Sequence, residues 1–220
     1  MTVVDVEGHE LTLSNLDKVL YPADGFTKGE VIDYYARIAP TMLPHLDGRA
    51  ITLKRYPNGV DGKFFYEKNC PKHRPDWIGV SPMDAEDGPI NYCALDSVAA
   101  LVWSANLAAL ELHTTMARTT TAANPTMVVF DLDPGAPADI VDCADIGLWI
   151  RDLLAGVGLE CFAKTSGSKG LQVYLPINGR TDYDHTAGFA KSVAELMERE
   201  APDRVVSVQK KNLRVGKVLV

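Results

Sequence analysis

The run MVVFDLDPG, residues 127–135, constrains the fold more than any other stretch of this chain. An apolar, partly β-branched segment ends in two carboxylates one residue apart, and Pro134 and Gly135 then break it. Residues of the first kind suit a buried, pleated strand, and a Pro-Gly pair suits a turn. In a strand, neighbours at i and i+2 point to the same side. Asp131 and Asp133 therefore aim together from the strand end, with Leu132 turned back to the core. Two anionic groups this close repel and hold on to protons unless a cation sits between them. Carboxylate oxygens suit Mg²⁺ or Mn²⁺, above all ions that also hold substrate phosphates. Metals held side by side activate an attacking hydroxyl and stabilise a leaving pyrophosphate. The plain alternative is a solvated turn at a strand end, where Asp before Pro-Gly is common.

A second constellation is KTSGSKG, residues 164–170. Gly167 and Gly170 let the backbone approach a ligand closely. Ser166 and Ser168 offer hydroxyls and Lys169 a cation, which together make a phosphate cradle in chemical terms. The run lacks the Gly-Lys-Ser/Thr ending of a P-loop, and alone it reads equally as an ordinary hairpin turn. Beside a metal-type carboxylate pair it gains weight, because metal and triphosphate need each other.

Around these motifs the pattern is mixed. HELTLSNLDKVLYP reads as a short strand and a one-turn helix capped near Ser14. TKGEVIDYYARIAPTML reads as a helix, with Thr27 and Glu30 as a capping box and Val31, Tyr34, Tyr35 and Ile38 at helical spacing. A strand from Ala50 to Arg55 runs into a Pro-Asn-Gly turn, and KFFYEKN is a short extended piece. SVAALVWSANLAALELHT reads as a buried helix ending in a short strand at His113. After the 127–135 strand come a helix ending near Gly156 or Gly158, a hairpin around KTSGSKG, a helix over DYDHTAGFAKSVAELMEREAPDR and a last strand in RVGKVLV. Strands and helices mix without strict βαβ alternation. The expected class is α+β, with mixed or antiparallel sheets flanked by helices.

The 220 residues suffice for one sizeable domain or two small ones, and 46% hydrophobic residues support a real core. A net charge of −7 argues against a protein that coats DNA by charge alone, but leaves room for a local basic groove. The four cysteines, Cys70, Cys93, Cys143 and Cys161, show no close pairing pattern and read as free thiols in a reducing compartment. Cys70 and His73 sit at ligand-like spacing without a second pair. No run reaches the ~18 apolar residues of a membrane span, and the acidic N-terminus is not a signal peptide. The expected location is cytoplasmic. The apolar end Val218, Leu219, Val220 has no polar tail, so the chain reads as a fragment of a longer polypeptide.

Two resemblances follow. FDLD resembles the opening motif of haloacid-dehalogenase-type phosphatases, whose first Asp is a nucleophile. Here Pro134 replaces the Gly-Thr continuation and a long segment precedes the motif, which disfavours that family. In contrast, DLDP, KTSGSKGLQVYLPI, LTLSNLDKVLYP, TLKRYPNG and FFYEKN resemble, in order and over essentially the whole chain, the polymerase domain of bacterial DNA ligase D. Its stand-alone relatives are primase-polymerases of the archaeo-eukaryotic primase superfamily. The resemblance implies a single domain over 1–220 with a primase-like core. It implies template-directed nucleotidyl transfer with Mn²⁺ or Mg²⁺ from NTP or dNTP, with ribonucleotides preferred.

The implied partners are DNA with gaps or double-strand breaks carrying a 5′-phosphate, an ATP-dependent DNA ligase and a Ku-type end-binding protein, in the nucleoid and with no membrane. Asp131 and Asp133 match two metal-binding carboxylates, and Ser166 and Lys169 the triphosphate loop. His113 matches a histidine near the incoming nucleotide, and Lys54 with Arg55 a basic strand facing it. Lys18 and Lys28 match a grip on the 5′-phosphate, and Phe64 and Phe65 aromatics that stack on the template. Gln172 stands where the family usually has histidine, and it cannot carry charge. The third metal carboxylate is expected just after Val220. A non-catalytic module that binds DNA ends or gaps is therefore the alternative to a polymerase.

Overall fold

Local hydrogen bonding sets the first elements, and the turns between them are tight. The computed structural model describes residues 1–85 and 88–220. The chain divides into two compact units, Met1–Thr120 and Thr121–Val220.

In the first unit, β1 (Thr2–Val6) and β2 (His9–Leu13) form an antiparallel hairpin. Glu7 and Gly8 both have positive φ, as a two-residue turn between twisted strands requires. β3 (Val19–Tyr21) pairs with β4 (Phe26–Thr27), which leads into α1 (Lys28–Leu46). Thr27 and Glu30 form the expected capping box: the Thr27 hydroxyl accepts from Glu30 N at 3.3 Å, and the Glu30 carboxylate accepts from Thr27 N at 2.7 Å. α1 buries Val31, Ile32, Tyr35 and Ala39; of the four residues expected at helical spacing, Val31 and Tyr35 are buried, Ile38 is half-buried and Tyr34 is exposed, so the buried face is turned from the expected one.

β5 (Ile51–Arg55) is the centre of the unit's main sheet, with β6 (Phe65–Glu67), β7 (Val80–Met83) and β8 (Ile90–Cys93). α2 (Val98–Asn106) is followed by β9 (Ala109–Thr114), which runs antiparallel along β5. The helix is therefore shorter and the strand longer than the apolar pattern suggests. Ala108, at φ 55°, makes the break, and a run apolar on every side cannot announce it.

In the second unit, β10 (Met127–Pro134), α3 (Ile140–Gly156), β11 (Phe162–Thr165), β12 (Leu171–Pro176), α4 (Tyr183–Glu200), β13 (Val205–Val206) and β14 (Val218–Leu219) follow in order. The sheet order is β11-β12-β10-β14-β13, antiparallel except for β13 beside β14. Val128, Phe130 and Leu132 of β10 meet Ile146, Ile150 and Leu154 of α3, Val173 and Leu175 of β12, and Met197 of α4. Burying each such side chain is worth about 1.5–3 kcal/mol. β10 is thus the central strand, and its carboxylate end is held by core on its inward face. The α+β class with antiparallel sheets is the one adopted.

Two expectations are corrected. Residues 14–18 form no one-turn helix. The carbonyls such a helix would use internally are taken by the start of α1: Lys28 N donates to Lys18 O at 2.8 Å, Gly29 N to Leu16 O at 2.8 Å, and Lys28 Nζ to Ser14 O at 2.7 Å. The cysteines are not all free either. Cys70 and Cys93 are joined in a disulfide, whereas Cys143 and Cys161 are free thiols. The pair is 23 residues apart in sequence and meets only because β8 folds back against the segment before β7. Cys70 N donates to Asn91 O at 2.6 Å beside the bridge, and with its sulfur bonded, Cys70 is no partner for His73 in a metal site. Among the described residues, no helix is long and apolar enough to cross a membrane.

Candidate active site and phosphate-binding pocket

In the second unit, strand alternation does what the sequence predicts. Asp131 is exposed, Leu132 is fully buried, and Asp133 is half-buried on the side of Asp131. Across the β10–β12 ladder, Asp131 stands opposite Gln172, whose amide donates to Asp131 Oδ1 at 3.2 Å. Tyr174 OH donates to Gln172 Oε1 at 2.9 Å, which fixes which way the amide faces. Gln172 therefore braces Asp131 as a neutral donor, where a histidine could bring charge.

Asp133 has stronger partners. Lys169 Nζ lies 3.0 Å from Oδ1, and Arg214 Nη1 donates to Oδ2 at 2.9 Å. Lys169 also donates to Pro134 O at 3.1 Å, and Arg214 Nη2 to Gln209 O at 3.1 Å. The like-charge problem posed by the carboxylate pair is thus relieved by two cations. Arg214 was not a sequence candidate. Its position depends on the 207–217 segment folding back onto β10, which no local pattern signals. Asp133, Lys169, Lys211 and Arg214 line a cleft of ≈ 290 Å³ floored by Pro134, Gly135 and Ala136.

The glycine turn is built to lie close. A Cβ on Gly170 would sit 2.3 Å from Leu132 O, and one on Gly135 1.9 Å from Arg214 O. Both glycines are required by backbone approach, and they bring Lys169 and Arg214 to Asp133. Ser166 Oγ accepts from Gly170 N at 3.2 Å and from Ser168 N at 3.3 Å. Its lone pairs close the turn, and its hydroxyl proton is what it has for a ligand. Two hard carboxylates on one strand face fit Mg²⁺ or Mn²⁺ as a donor set. Among the described residues there is no cluster of three or more His, Cys, Asp or Glu suited to a metal.

In the first unit, Lys54 and Arg55 point to opposite faces of β5 and so do not act as one basic stripe. Lys54 Nζ donates to Glu111 Oε1 at 2.7 Å and lies over the rings of Phe64, Tyr56 and Tyr66 at 4.4, 5.3 and 5.6 Å. Bonding to Glu111, then to Tyr56, raises its pKa. His113 Nε2 lies 2.8 Å from Glu111 Oε2, and Tyr56 OH donates to Glu111 Oε1. Phe64 and Phe65 are 49% and 44% exposed, so neither is core. Phe64 shares the face of Lys54 and His113, while Phe65 lies under Arg55 at 5.1 Å.

Arg55 instead lines a second cleft, of ≈ 340 Å³, with Lys18, Lys28, Asn15, Asn58 and Asn106. Lys18 Nζ donates to Asn58 Oδ1 at 2.9 Å, and Arg55 pairs with Glu67 at 2.7 Å. Lys28 is buried, and its pKa is lowered by that burial, then by Lys18 and Arg55. The start of α1 offers no spare N–H groups here: those of Lys28, Gly29 and Glu30 are already donated. The three side-chain cations are what the cleft has for an anion.

Both units thus mix helices with antiparallel strands, and the second carries the strand-end carboxylate pair beside two cations. Comparison with known proteins gives the family. The model for the LigD primase-polymerase domain matches residues 27–220. The multifunctional non-homologous end joining DNA repair protein LigD of Mycobacterium tuberculosis is 42% identical over 218 residues, covering 96% of this chain and 29% of that protein. The bifunctional non-homologous end joining protein LigD of Bacillus subtilis is 30% identical over 195 residues, covering 88% of this chain and 31% of its own length. The solved polymerase domain of Mycobacterium tuberculosis ligase D in complex with DNA matches with a TM-score of 0.90 and 40% identity, over 96% of this chain and 76% of that one. The chain belongs to the LigD primase-polymerase domain family, a nucleotidyltransferase family. It spans under a third of the length of these curated relatives.

Proposed function

We propose that this protein performs template-directed nucleotidyl transfer, extending a DNA primer 3′-OH in short gaps or at broken ends during end-joining repair. The observation that carries this reading is the pair Asp131 and Asp133 on one face of β10, with Lys169 of the glycine turn 3.0 Å from Asp133. Asp131 and Asp133 would hold Mn²⁺ or Mg²⁺, which supplies activation of the attacking hydroxyl and neutralisation of the leaving pyrophosphate. Lys169, Arg214 and the Ser166 hydroxyl offer a nucleoside triphosphate cationic and hydrogen-bonding partners, and Gln172 keeps Asp131 in place. His113 serves the incoming nucleotide. Phe64 and Phe65 stack on template bases, each base worth ~1–3 kcal/mol. Lys18 and Lys28, joined by Arg55, hold the 5′-phosphate across a gap. The relatives' names place those proteins in end joining, and we extend to this one a Ku-type protein and an ATP-dependent ligase as partners.

The test is filling-in of a gapped, 5′-phosphorylated duplex with Mn²⁺ and NTPs or dNTPs. Extension that follows the template base is expected. A protein that binds the gap yet adds no nucleotide under these conditions is a gap-binding module and contradicts the reading.

A further inference from the structure

Glu111 is the hub of the first unit's exposed polar face, and no motif singled it out. It stands directly opposite Lys54 across the β5–β9 ladder, and His113 stands opposite Thr52. Residues 111 and 113 share one side of β9. One carboxylate receives three donors there: Lys54 Nζ at 2.7 Å, Tyr56 OH, and His113 Nε2 at 2.8 Å. Burial pushes the Glu111 pKa up, but hydrogen bonds from Lys54, Tyr56 and His113 outweigh it and bring it down to about 2. An ionised carboxylate only accepts, so Nε2 carries the proton in this contact. Tyr66 meets the His113 ring edge-on at 5.6 Å and limits its swing.

We propose that Glu111 is a positioning residue for nucleotide addition: it fixes His113 as the Nε2–H form and leaves Nδ1 to the incoming nucleotide. Lys54 has a different task from the one its place in a basic strand suggests. Its ammonium is held by Glu111 and three aromatic rings, and it cancels a negative charge that would otherwise repel an anionic substrate. A carboxylate that orients a histidine through one ring nitrogen while the other works is a general device. The inference rests on the proposed role of His113 near the nucleotide.

A double-mutant cycle tests it, with gap extension measured against nucleotide concentration in wild type, Glu111→Gln, His113→Asn and the double variant. Gln keeps the side chain's shape but lacks the charge that dictates the tautomer. The expected result is a loss in kcat/KM for the nucleotide on the order of tenfold for Glu111→Gln, the size of one charge-assisted hydrogen bond. Affinity for gapped DNA should stay within about twofold, and in the His113→Asn background the same change should cost less than about twofold. Equal losses in both backgrounds would show a mere strut between strands, and no loss in wild type would overturn the proposal too. Imidazole ¹⁵N NMR of the wild-type protein without nucleotide gives a reading independent of activity. Nε2-protonated His113 is expected, and a neutral ring protonated on Nδ1 overturns the assignment. Wild-type protein that extends nothing counts against the proposed function, and the NMR result then still decides the Glu111 contact.

Discussion

Asp131→Ala abolishes primer extension while leaving affinity for gapped DNA within about twofold. The loss should be on the order of 10² to 10³ or greater, the size expected when preorganised charge at the reacting centre is removed. The physical case is local. Asp131 is exposed at the end of the central strand, so its removal leaves no cavity: the neighbouring core residue is Leu132, which faces the other way. Its partner in this structure is the neutral Gln172 amide at 3.2 Å, so no buried charge is stranded by the change. A fall in thermal stability is therefore not expected, and a melting curve run beside the extension assay checks that. Asp133→Ala is a less clean experiment. It releases Lys169 and Arg214 together and removes the anchor of the 214–216 turn. An Asp131→Ala protein that still extends primers would show that the strand-end pair does not hold the metals.

Replacing Lys18 and Lys28 together removes the preference for a 5′-phosphate. Wild-type protein should bind a gap with the phosphate more tightly than one ending in a hydroxyl, and the double variant should bind both alike. Each cation contributes on the order of tenfold as a charge-assisted contact, and the preference should shrink as salt rises. Lys18→Ala is the cleaner single change, because Lys18 is exposed and its ammonium rests on Asn58 alone among the described residues. Lys28 also ties Ser14 to α1, so Lys28→Met must be read with a stability control. A pH dependence follows. Burial, then Lys18 and Arg55, lower the Lys28 pKa from the ordinary 10.5. A bound phosphate favours the charged form, so binding takes up a proton. The phosphate preference should therefore weaken, by the share Lys28 contributes, as pH rises past the depressed Lys28 pKa and before an ordinary lysine would titrate. Equal binding of phosphorylated and unphosphorylated gaps by the wild type would remove this role from both lysines.

The parts of the molecule that were legible in sequence are those governed by short-range periodicity. The alternation in residues 127–134 gave the inward Leu132 and outward Asp131 and Asp133, and the Thr27–Glu30 spacing gave the start of α1. What was not legible depends on distant segments meeting. Arg214 reaches Asp133 across 81 residues, and Glu111 gathers Lys54 from β5 and Tyr56 from just beyond its end. Cys70 and Cys93 pair through a strand return, and Arg55 turns from the face of Lys54 toward the cleft of Lys18 and Lys28. In each case the residue type was visible and its partner was not. The short helix expected near Ser14 failed for the same reason, since the start of α1 competes for its carbonyls.

The central claim is that Asp131 and Asp133 jointly bind divalent metal beside a triphosphate seated on the Ser166–Lys169 turn. Crystals of the protein soaked with Mn²⁺ and a nucleoside triphosphate test it most directly, because manganese scatters anomalously and can be placed without assumption. The account predicts anomalous density within coordination distance of both carboxylates, and phosphate oxygens against Lys169. Manganese elsewhere, with Asp133 still paired to Lys169 and Arg214 and no phosphate at the turn, would contradict it.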